Sequence, residues 1–360
     1  MEAKYKRVVV KIGSNVLTQS DGTLDTARME SLVNQVAQLQ LAGVEVILVS
    51  SGAVASGRSE MKLQKKLDPV SARQLFSAVG QAKLINRYYE LFAKHGMVCG
   101  QVLSTKESFG TRTQYLTQKD CISVMLDNKV VPIVNENDTI SVTELMFTDN
   151  DELSGLLATM MQAEALIILS NIDGIYDGDP NLPTSKVITT IEPNKNLSKY
   201  IQTGKSSFGR GGMLTKCNIA RKVAEEGITV MIANGKREGI LLDLIDKNSQ
   251  ITHTTFIANK KGASGVKKWI AHSESFAKGK VVINQGAAEA LCTEKAHSLL
   301  FIGIVAIEGS FKKGDIVKIA TEDGTELGVG KAQMDSEKAA TNVGKKGVKP
   351  FIHYDYLFIN

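Results

Sequence analysis

Cysteine and histidine are scarce in this sequence, and their positions exclude two kinds of site. The 360 residues include only four cysteines and five histidines. No two cysteines form a C-x-x-C pair, and the histidines form no cluster with metal-ligand spacing. The sequence therefore predicts neither disulfides nor structural zinc for Cys99, Cys121, Cys217 and Cys292.

Long apolar runs are also missing. Near the N-terminus the apolar run ends after three valines, where Lys11 interrupts it. No transmembrane segment and no signal-peptide core are therefore predicted. Hydrophobic residues make up 43% of the chain and charged residues 22%, values typical of soluble globular proteins. We expect a cytoplasmic protein that does not bind membranes.

The net charge of +5 has a local origin. Residues 1–258 carry 28 cations and 27 anions, and residues 276–360 carry 11 and 10. The excess lies in the stretch between them, "NKKGASGVKKWIAHSES", whose lysines, glycines and serines are typical of a linker. Together with the length of the chain, this predicts two domains, 1–258 and 276–360, joined by a linker at 259–275.

Apolar β-branched runs alternate with helical patterns through the first domain. The predicted strands are "RVVVKI", "VEVILVSS", "MVCGQVL", "VVPIVNEND", "ALIILSN" and "ITVMIAN", and the predicted helices are 26–41, 70–93, 115–127, 151–162 and 212–226. Such an order indicates an α/β fold, a three-layer αβα sandwich with a mainly parallel open sheet. After residue 275, short alternating segments and the turn "EDGTE" predict a small, mainly β domain.

The ends of the predicted strands carry the first two candidate sites. In parallel sheets, ligands bind beyond the carboxyl ends of the strands. Lys11 and Gly13 follow the first strand, where a lysine can reach a phosphate and a glycine lets backbone amides approach it. The second strand ends in "VSSGAVASG", a run of small residues that opens a helix and offers Ser51 and backbone amides to an anion. Each stretch also has a plain structural interpretation, as a surface lysine beside a turn and as a helix cap.

An acidic stretch forms the third candidate site. "PIVNENDTISVTELMFTDNDELSG" includes Asp138, Asp149, Asn150 and Asp151 within a short span after a strand. A capping box from Thr148 to Asp151 explains part of this pattern without any function, but it does not explain "NEND". Amides and carboxylates together suit an amino-acid ammonium group, or cations around phosphates.

The fourth candidate is the glycine loop "GRGGMLTK", which leads into a helix. It is no Walker A loop, because the nearby "GKS" lacks its first glycine, and residue 199 is a lysine. No G-x-G-x-x-G follows the first strand, and the protein-kinase signatures HRD and DFG are absent. Either a polyphosphate-binding loop or a plain surface loop fits these residues.

Six stretches, in this order, resemble the amino acid kinase family: "VVVKIGSNVLT", "VSSGAVASG", "NENDTI", "TDNDELS", "LSNIDGIYDGDP" and "GRGGMLTK". The resemblance covers residues 7–258 and is strongest to members that act on L-glutamate. The C-terminal stretches "GKVVINQGAAEAL" and "SLLFIGIVAIEGSFKKGDIVKI" resemble a PUA domain. The implied reaction is ATP-dependent phosphorylation of the L-glutamate γ-carboxylate to L-glutamyl 5-phosphate, the first step of proline biosynthesis.

The resemblance implies a role for each candidate residue. Lys11 would contact the transferred phosphate, Lys216 would stabilise the transition state, and Asp151 would organise both lysines. The implied glutamate-binding residues are Ser51, Asp138 and Asn150, with Asp149 supporting the substrate or magnesium region. The implied nucleotide-binding residues are Lys11, Ser170, Asn171, Arg210, Gly211, Gly212, Met213, Leu214, Thr215 and Lys216. ATP and Mg²⁺ are the implied cofactors, with Mg²⁺ carried mainly by the ATP phosphates and by no direct protein ligand.

Two positions depart from the pattern of the family. Ser170 and Asn171 stand where the family usually has Thr-Asp, and Arg210 stands where it usually has Thr, so both departures bear on ATP affinity. The resemblance also implies feedback inhibition by proline, a homo-oligomer (dimer or tetramer) and a functional partnership with glutamyl phosphate reductase.

Two alternatives remain. The first is another kinase of the same fold that acts on a different small acid or phosphate acceptor. The second is a protein that binds RNA through its C-terminal domain. That domain balances 11 lysines against 10 acidic residues, which gives little of the positive charge that RNA binding requires.

Overall fold

A computed structural model describes residues 2–61, 65–110, 112–140, 147, 149–180, 182–193, 213–259, 277–293 and 297–359 of the chain. The chain forms two compact units. The first comprises residues 1–105 and 119–262, and the second comprises residues 106–118 and 263–360. The predicted linker 259–275 lies outside the described residues from residue 260 onward, so the domain boundaries stay a prediction.

The first unit is built on one sheet. Its described strands are β1 Arg7–Ile12, β2 Glu45–Ser50, β3 Cys99–Ser104, β4 Val131–Glu136, β5 Ala165–Ser170, β6 Thr190–Ile191, β7 Thr229–Asn234 and β8 Thr254–Phe256. Their order across the sheet is β3-β4-β2-β1-β5-β7-β8-β6. Neighbouring strands are parallel, except that β8 runs antiparallel to β7. The predicted mainly parallel sheet is confirmed, with β1 at its centre.

The helices described up to residue 259 are α1 Ser14–Leu17, α2 Thr26–Leu41, α3 Ala53–Glu60, α4 Pro69–Ala93, α5 Glu107–Gly110, α6 Arg112–Asp127, α7 Asn150–Met160, α8 Met213–Glu225 and α9 Ile240–Ile245. Acidic caps fix the starts of the long ones. Asp25 accepts a hydrogen bond from the backbone N–H of Arg28, and Asp68 accepts from Val70 and Ser71. These carboxylates satisfy N–H groups that would otherwise lack a partner at the helix start. No helix in the described part of the chain is long and apolar enough to cross a membrane.

Helices cover both faces of the sheet. Side chains alternate between the two faces along a strand. Val8, Val10 and Ile12 of β1 therefore pack into one core with α2, α4 and α9. Val9 and Lys11 point to the opposite face, where α7 packs against β1 and α8 against β7. This is the predicted three-layer arrangement, and it directs Lys11 toward α7 and α8.

The second unit has its own sheet and core. Its strands are β9 Gly279–Ile283, β10 Ile304–Gly309, β11 Ile316–Thr321, β12 Glu326–Lys331 and β13 Leu357–Ile359, in the order β10-β9-β11-β12-β13. Two helices, α10 Gln285–Leu291 and α11 Ser336–Ala340, accompany them. The predicted "EDGTE" hairpin joins the antiparallel strands β11 and β12, with Gly324 at a φ of +88°. Apolar residues such as Val281, Ile319 and Phe351 fill a separate core.

Candidate active site

Polar side chains collect at the carboxyl ends of the central strands of the first unit. Lys11 is the fifth residue of β1 and pairs in register with Val49 of β2 and Ile168 of β5. Ser51 directly follows β2, and Ser170 ends β5. Because parallel strands end at the same edge of the sheet, these positions lie side by side.

A buried ion-pair triad forms the centre of the site. Lys11 Nζ lies 2.6 Å from Asp151 Oδ1, and Lys216 Nζ lies 3.0 Å from Asp151 Oδ2. The three side chains come from β1, the first turn of α7 and the first turn of α8. They are 7%, 0% and 12% exposed for Lys11, Asp151 and Lys216, respectively. The structure thus brings together the three residues to which the family resemblance assigned catalysis, and their roles stay a prediction.

The charge state of the triad follows from its contacts. Burial by itself would raise the pKa of Asp151, but the ammonium groups of Lys11 and Lys216 outweigh it and hold that pKa below its usual range. Asp151 is therefore an anion at neutral pH. Two cations share this one anion, so the three side chains together carry one excess positive charge, which nearby Asp149 offsets when it is ionised.

Asp149 caps the helix that carries Asp151. Its Oδ1 accepts hydrogen bonds from the backbone N–H groups of Asp151, at 2.9 Å, and Glu152, at 3.2 Å. The predicted capping box from Thr148 to Asp151 is wrong, because the extended backbone at Asp149 makes this residue the N-cap. Thr148 itself lies outside the described residues.

The second carboxylate oxygen of Asp149, Oδ2, does not take part in capping the helix. Among the described residues, buried Asp149 Oδ2 has no hydrogen-bond partner. Burial, and next the negative charge of Asp151, raise the pKa of Asp149 to about 6. A buried carboxylate oxygen without a donor costs free energy, and it can accept a hydrogen bond from a ligand or from a metal-bound water.

A chain of amides links β2, β4 and α7. Asn150 Nδ2 donates to Ser51 Oγ at 2.9 Å and to Asn135 Oδ1 at 3.0 Å. Asn135 in turn donates to Gln81 Oε1 at 2.8 Å. The other amide atom, Asn150 Oδ1, is buried without a partner among the described residues. Ser51 and Asn150, predicted as substrate-binding residues, are therefore in direct contact.

Arg73 of α4 holds two carboxylates of the "NEND" stretch. Its Nη2 donates to Glu136 Oε2 at 2.9 Å and to Asp138 Oδ1. Ser77 Oγ donates to Asp138 Oδ2 at 3.3 Å. Asp138 was predicted, whereas Arg73, Ser77 and the Gln81 contact were not. A signal was present, since these three polar residues are spaced four apart on one helix and therefore share a face.

The region predicted to bind nucleotide is partly described. Ser170 ends β5 buried, and its hydroxyl donates to Asn171 Oδ1 at 3.4 Å. Met213, Leu214 and Thr215 form the first turn of α8 together with Lys216. Arg210, Gly211 and Gly212 lie outside the described residues, so their predicted contacts stay predictions.

Gly13 brings two strand ends close together. Its N–H donates to the carbonyl of Leu169 at 3.2 Å. A Cβ at this position would lie 3.1 Å from the same oxygen and 3.6 Å from Lys11 Nζ. The glycine therefore keeps the space in front of the Lys11 ammonium group open.

Comparison with known proteins agrees with this architecture. Residues 6–234 match the model of the amino acid kinase family. The chain belongs to the amino acid kinase family. Residues 279–352 of this kinase match the PUA domain model, as the C-terminal stretches predicted.

Two relatives of this amino acid kinase match it over nearly their whole lengths. It is 64% identical over 359 residues to the glutamate 5-kinase of Bacteroides thetaiotaomicron, covering 100% of both chains. It is 51% identical over 361 residues to the glutamate 5-kinase of Chlorobaculum tepidum, covering 99% of this chain and 98% of the relative.

Two solved structures share the fold of the first unit. The substrate complex of an isopentenyl phosphate kinase superposes with a TM-score of 0.50 at 18% identity, covering 70% of this chain and 99% of that one. Carbamate kinase from Giardia lamblia, bound to AMP-PNP, also superposes with a TM-score of 0.50 at 18% identity. This match covers 71% of this chain and 99% of the carbamate kinase chain. At such low identity these likenesses show the fold alone.

Proposed function

We propose that this chain transfers the γ-phosphoryl group of ATP to the γ-carboxylate of L-glutamate. The product is L-glutamyl 5-phosphate, and the reaction is the first step of proline biosynthesis. Full-length relatives that are 64% and 51% identical bear the name of this activity. The observation that carries the proposal is the buried triad in which Lys11 and Lys216 share Asp151.

The chemistry requires positive charge more than a base. A glutamate γ-carboxylate has an ordinary pKa of about 4.3, so it is already a nucleophile at neutral pH. The barrier arises because this anion must approach a polyphosphate while negative charge spreads over the transferred group. Lys11 and Lys216 supply two preorganised cations, and Asp151 fixes both ammonium groups before substrate arrives.

The glutamate-binding role falls to the polar groups beyond β2 and β4. Ser51 and Asn150 contact each other, and Asn150 Oδ1 offers a buried acceptor that lacks a protein donor among the described residues. Asp138 provides a carboxylate for the ammonium group of an amino acid. In this proposal, a substrate held at these three residues would direct its γ-carboxylate toward Lys11.

ATP is assigned to Ser170, Asn171 and the segment from Arg210 to Lys216, with Lys11 and Lys216 at the transferred phosphate. The helix α8 begins at Met213, so its N-terminal amides and their partial positive charge favour phosphate. Mg²⁺, held mainly by the ATP phosphates, would neutralise phosphate charge. The unpartnered Asp149 Oδ2 fits this group, since a hard oxygen can accept from a water of its hydration shell.

The remaining assignments extend the same activity. Proline is proposed as feedback inhibitor at or near the glutamate site, and the chain as a homo-oligomer. Because an acyl phosphate is unstable, a glutamyl phosphate reductase is proposed as the enzyme that consumes it. We place the protein in the cytoplasm.

One assay tests the proposed function. Purified full-length protein is mixed with ATP, Mg²⁺ and L-glutamate, and ADP release is followed with and without proline. Hydroxylamine traps an acyl phosphate as a hydroxamate, so hydroxamate formation that depends on glutamate is the expected result. ADP release with another acid but none with glutamate would overturn the substrate assignment.

A further inference from the structure

Helix α4 presents a polar face to the end of β4 and to Asp138 just beyond it. Arg73, Ser77 and Gln81 are spaced four apart, so they lie above one another on the helix. Each contacts a residue of "NEND": Arg73 and Ser77 donate to Asp138, and Gln81 accepts from Asn135. Polar side chains on the buried face of a helix need partners, and here these contacts lead to Asp138 and to residues next to it.

We propose that Arg73 is a positioning residue for the substrate. It holds Asp138, through an ion pair shared with Glu136, in the orientation that accepts an ammonium group. Arg73 thereby sets the preference for an amino acid over a dicarboxylic acid that lacks the amine. This inference rests on the proposed function, because it concerns how the same site selects glutamate.

Burial strengthens the electrostatic interactions of Arg73 with the two carboxylates. The side chains of Arg73, Glu136 and Asp138 are 19%, 5% and 8% exposed. Two carboxylates so close together repel each other when little water screens them. The Arg73 guanidinium lies between them and donates to both from one nitrogen. Without it, Asp138 would keep, among the described residues, the longer contact from Ser77 Oγ at 3.3 Å.

The charge of this cluster suits one ammonium group. Arg73 contributes one positive charge and the two carboxylates contribute two negative charges, so one negative charge remains. The cations at the other end of the proposed site are Lys11 and Lys216, which hold Asp151 between them and lie near Asp149. A molecule with an ammonium group at one end and a carboxylate at the other is therefore favoured in one orientation, with its carboxylate toward the lysines.

Glu136 extends the effect of Arg73 to the next segment of the site. While Oε2 accepts from Arg73, Oε1 accepts from the backbone N–H of Phe147 at 2.9 Å. Phe147 lies two residues before the N-cap Asp149. Arg73 thus stabilises both Asp138 and the approach of the chain to α7.

The test compares glutamate with glutarate, which is glutamate without its α-ammonium group. For full-length Arg73→Met, we expect the KM for glutamate to rise about 10- to 100-fold, the range for one lost hydrogen bond to a charged group. The inhibition constant of glutarate, measured as a competitor of glutamate, should rise by a much smaller factor, and the KM for ATP should stay unchanged. Arg73→Lys, which keeps a cation, should restore most of the discrimination.

The matched control is Arg87→Met, on the same helix. Arg87 pairs with Glu90 on the surface, so this change should alter neither the KM for glutamate nor the inhibition constant of glutarate. The positioning role is wrong if Arg73→Met raises the KM for glutamate and the inhibition constant of glutarate by the same factor. It is also wrong if this variant changes neither of them. If that variant does not fold, Arg73→Gln is judged by the same two constants. Wild-type protein that does not turn over glutamate would overturn the proposed function itself, whereas turnover with unchanged discrimination overturns only this inference.

Discussion

We expect Asp149→Asn to stabilise the folded chain at neutral pH. Burial, and next the charge of Asp151, raise the pKa of Asp149 from 3.8 to about 6. The folded state therefore keeps a proton that the unfolded chain has released between about pH 4 and pH 6. Stability falls as the pH rises through this window, and the loss is complete above it. Asparagine carries no charge, and it caps a helix as well as aspartate does.

The pKa shift sets the size of the effect. A shift of about two units, at ~1.36 kcal/mol per unit, corresponds to about 3 kcal/mol at pH 7.5. At pH 4.5 most of the penalty is absent, because Asp149 is still protonated in the folded state, and about 1 kcal/mol remains. For a unit of this size, about 3 kcal/mol corresponds to a rise of about 6–12 °C in Tm.

Thermal denaturation of the full chain at pH 4.5 and pH 7.5 measures this gain. The control Asp127→Asn makes the same chemical change at an exposed position of α6 and should leave Tm unchanged at both pH values. Asp149→Ala also removes the cap, so its gain should be smaller by about 1 kcal/mol. A lower Tm for Asp149→Asn at pH 7.5, or an equal gain at both pH values, would refute the reasoning.

Three further predictions concern other contacts. Asp151→Asn should destabilise the chain by about 3–5 kcal/mol in thermal melts, because two buried ammonium groups lose their counter-ion; an unchanged Tm would contradict this. Lys216→Ala should lower kcat for ADP release about 100- to 1000-fold, as expected for one lost preorganised charge contact, and near wild-type turnover would contradict the assignment. Gly80→Ala would place its Cβ 1.8 Å from the Ala53 carbonyl oxygen, so denaturant unfolding should show a loss of about 1–3 kcal/mol or more. Gly110→Ala meets no atom within 4 Å and is the control.

Local signals explain why the elements of the first unit were predictable. The helix predicted at 26–41 has the same ends in the structure, since Asp25 caps its start and Gly43, at a φ of +84°, follows its end. The strand predicted at 97–103 begins later, at Cys99, and ends at Ser104. Residues 97 and 98 are apolar like the strand, but only pairing with β4 decides where the ladder begins.

The site was predictable where strand order alone brings residues together. Lys11 lies near the carboxyl end of β1 and Ser51 follows β2, its parallel neighbour, so both come to the same edge of the sheet. The contacts of Arg73 and Gln81 with the "NEND" stretch did not follow, because α4 reads as an ordinary amphipathic helix. The partners of its polar face are known only from the tertiary structure, because they lie in β4 and just beyond it, more than 50 residues away in sequence.

The glycine contact between α3 and α4 has a mechanical consequence. A Cβ on Gly57 would lie 1.8 Å from the Phe76 carbonyl oxygen, and Gly80 is equally close to Ala53. At this contact backbone lies against backbone, which leaves little room to absorb a shift. Ser51 precedes α3 and Arg73 lies on α4, so both should move as parts of one rigid body. A displacement on the Ser51 side of the substrate would then be transmitted to the carboxylates held by Arg73.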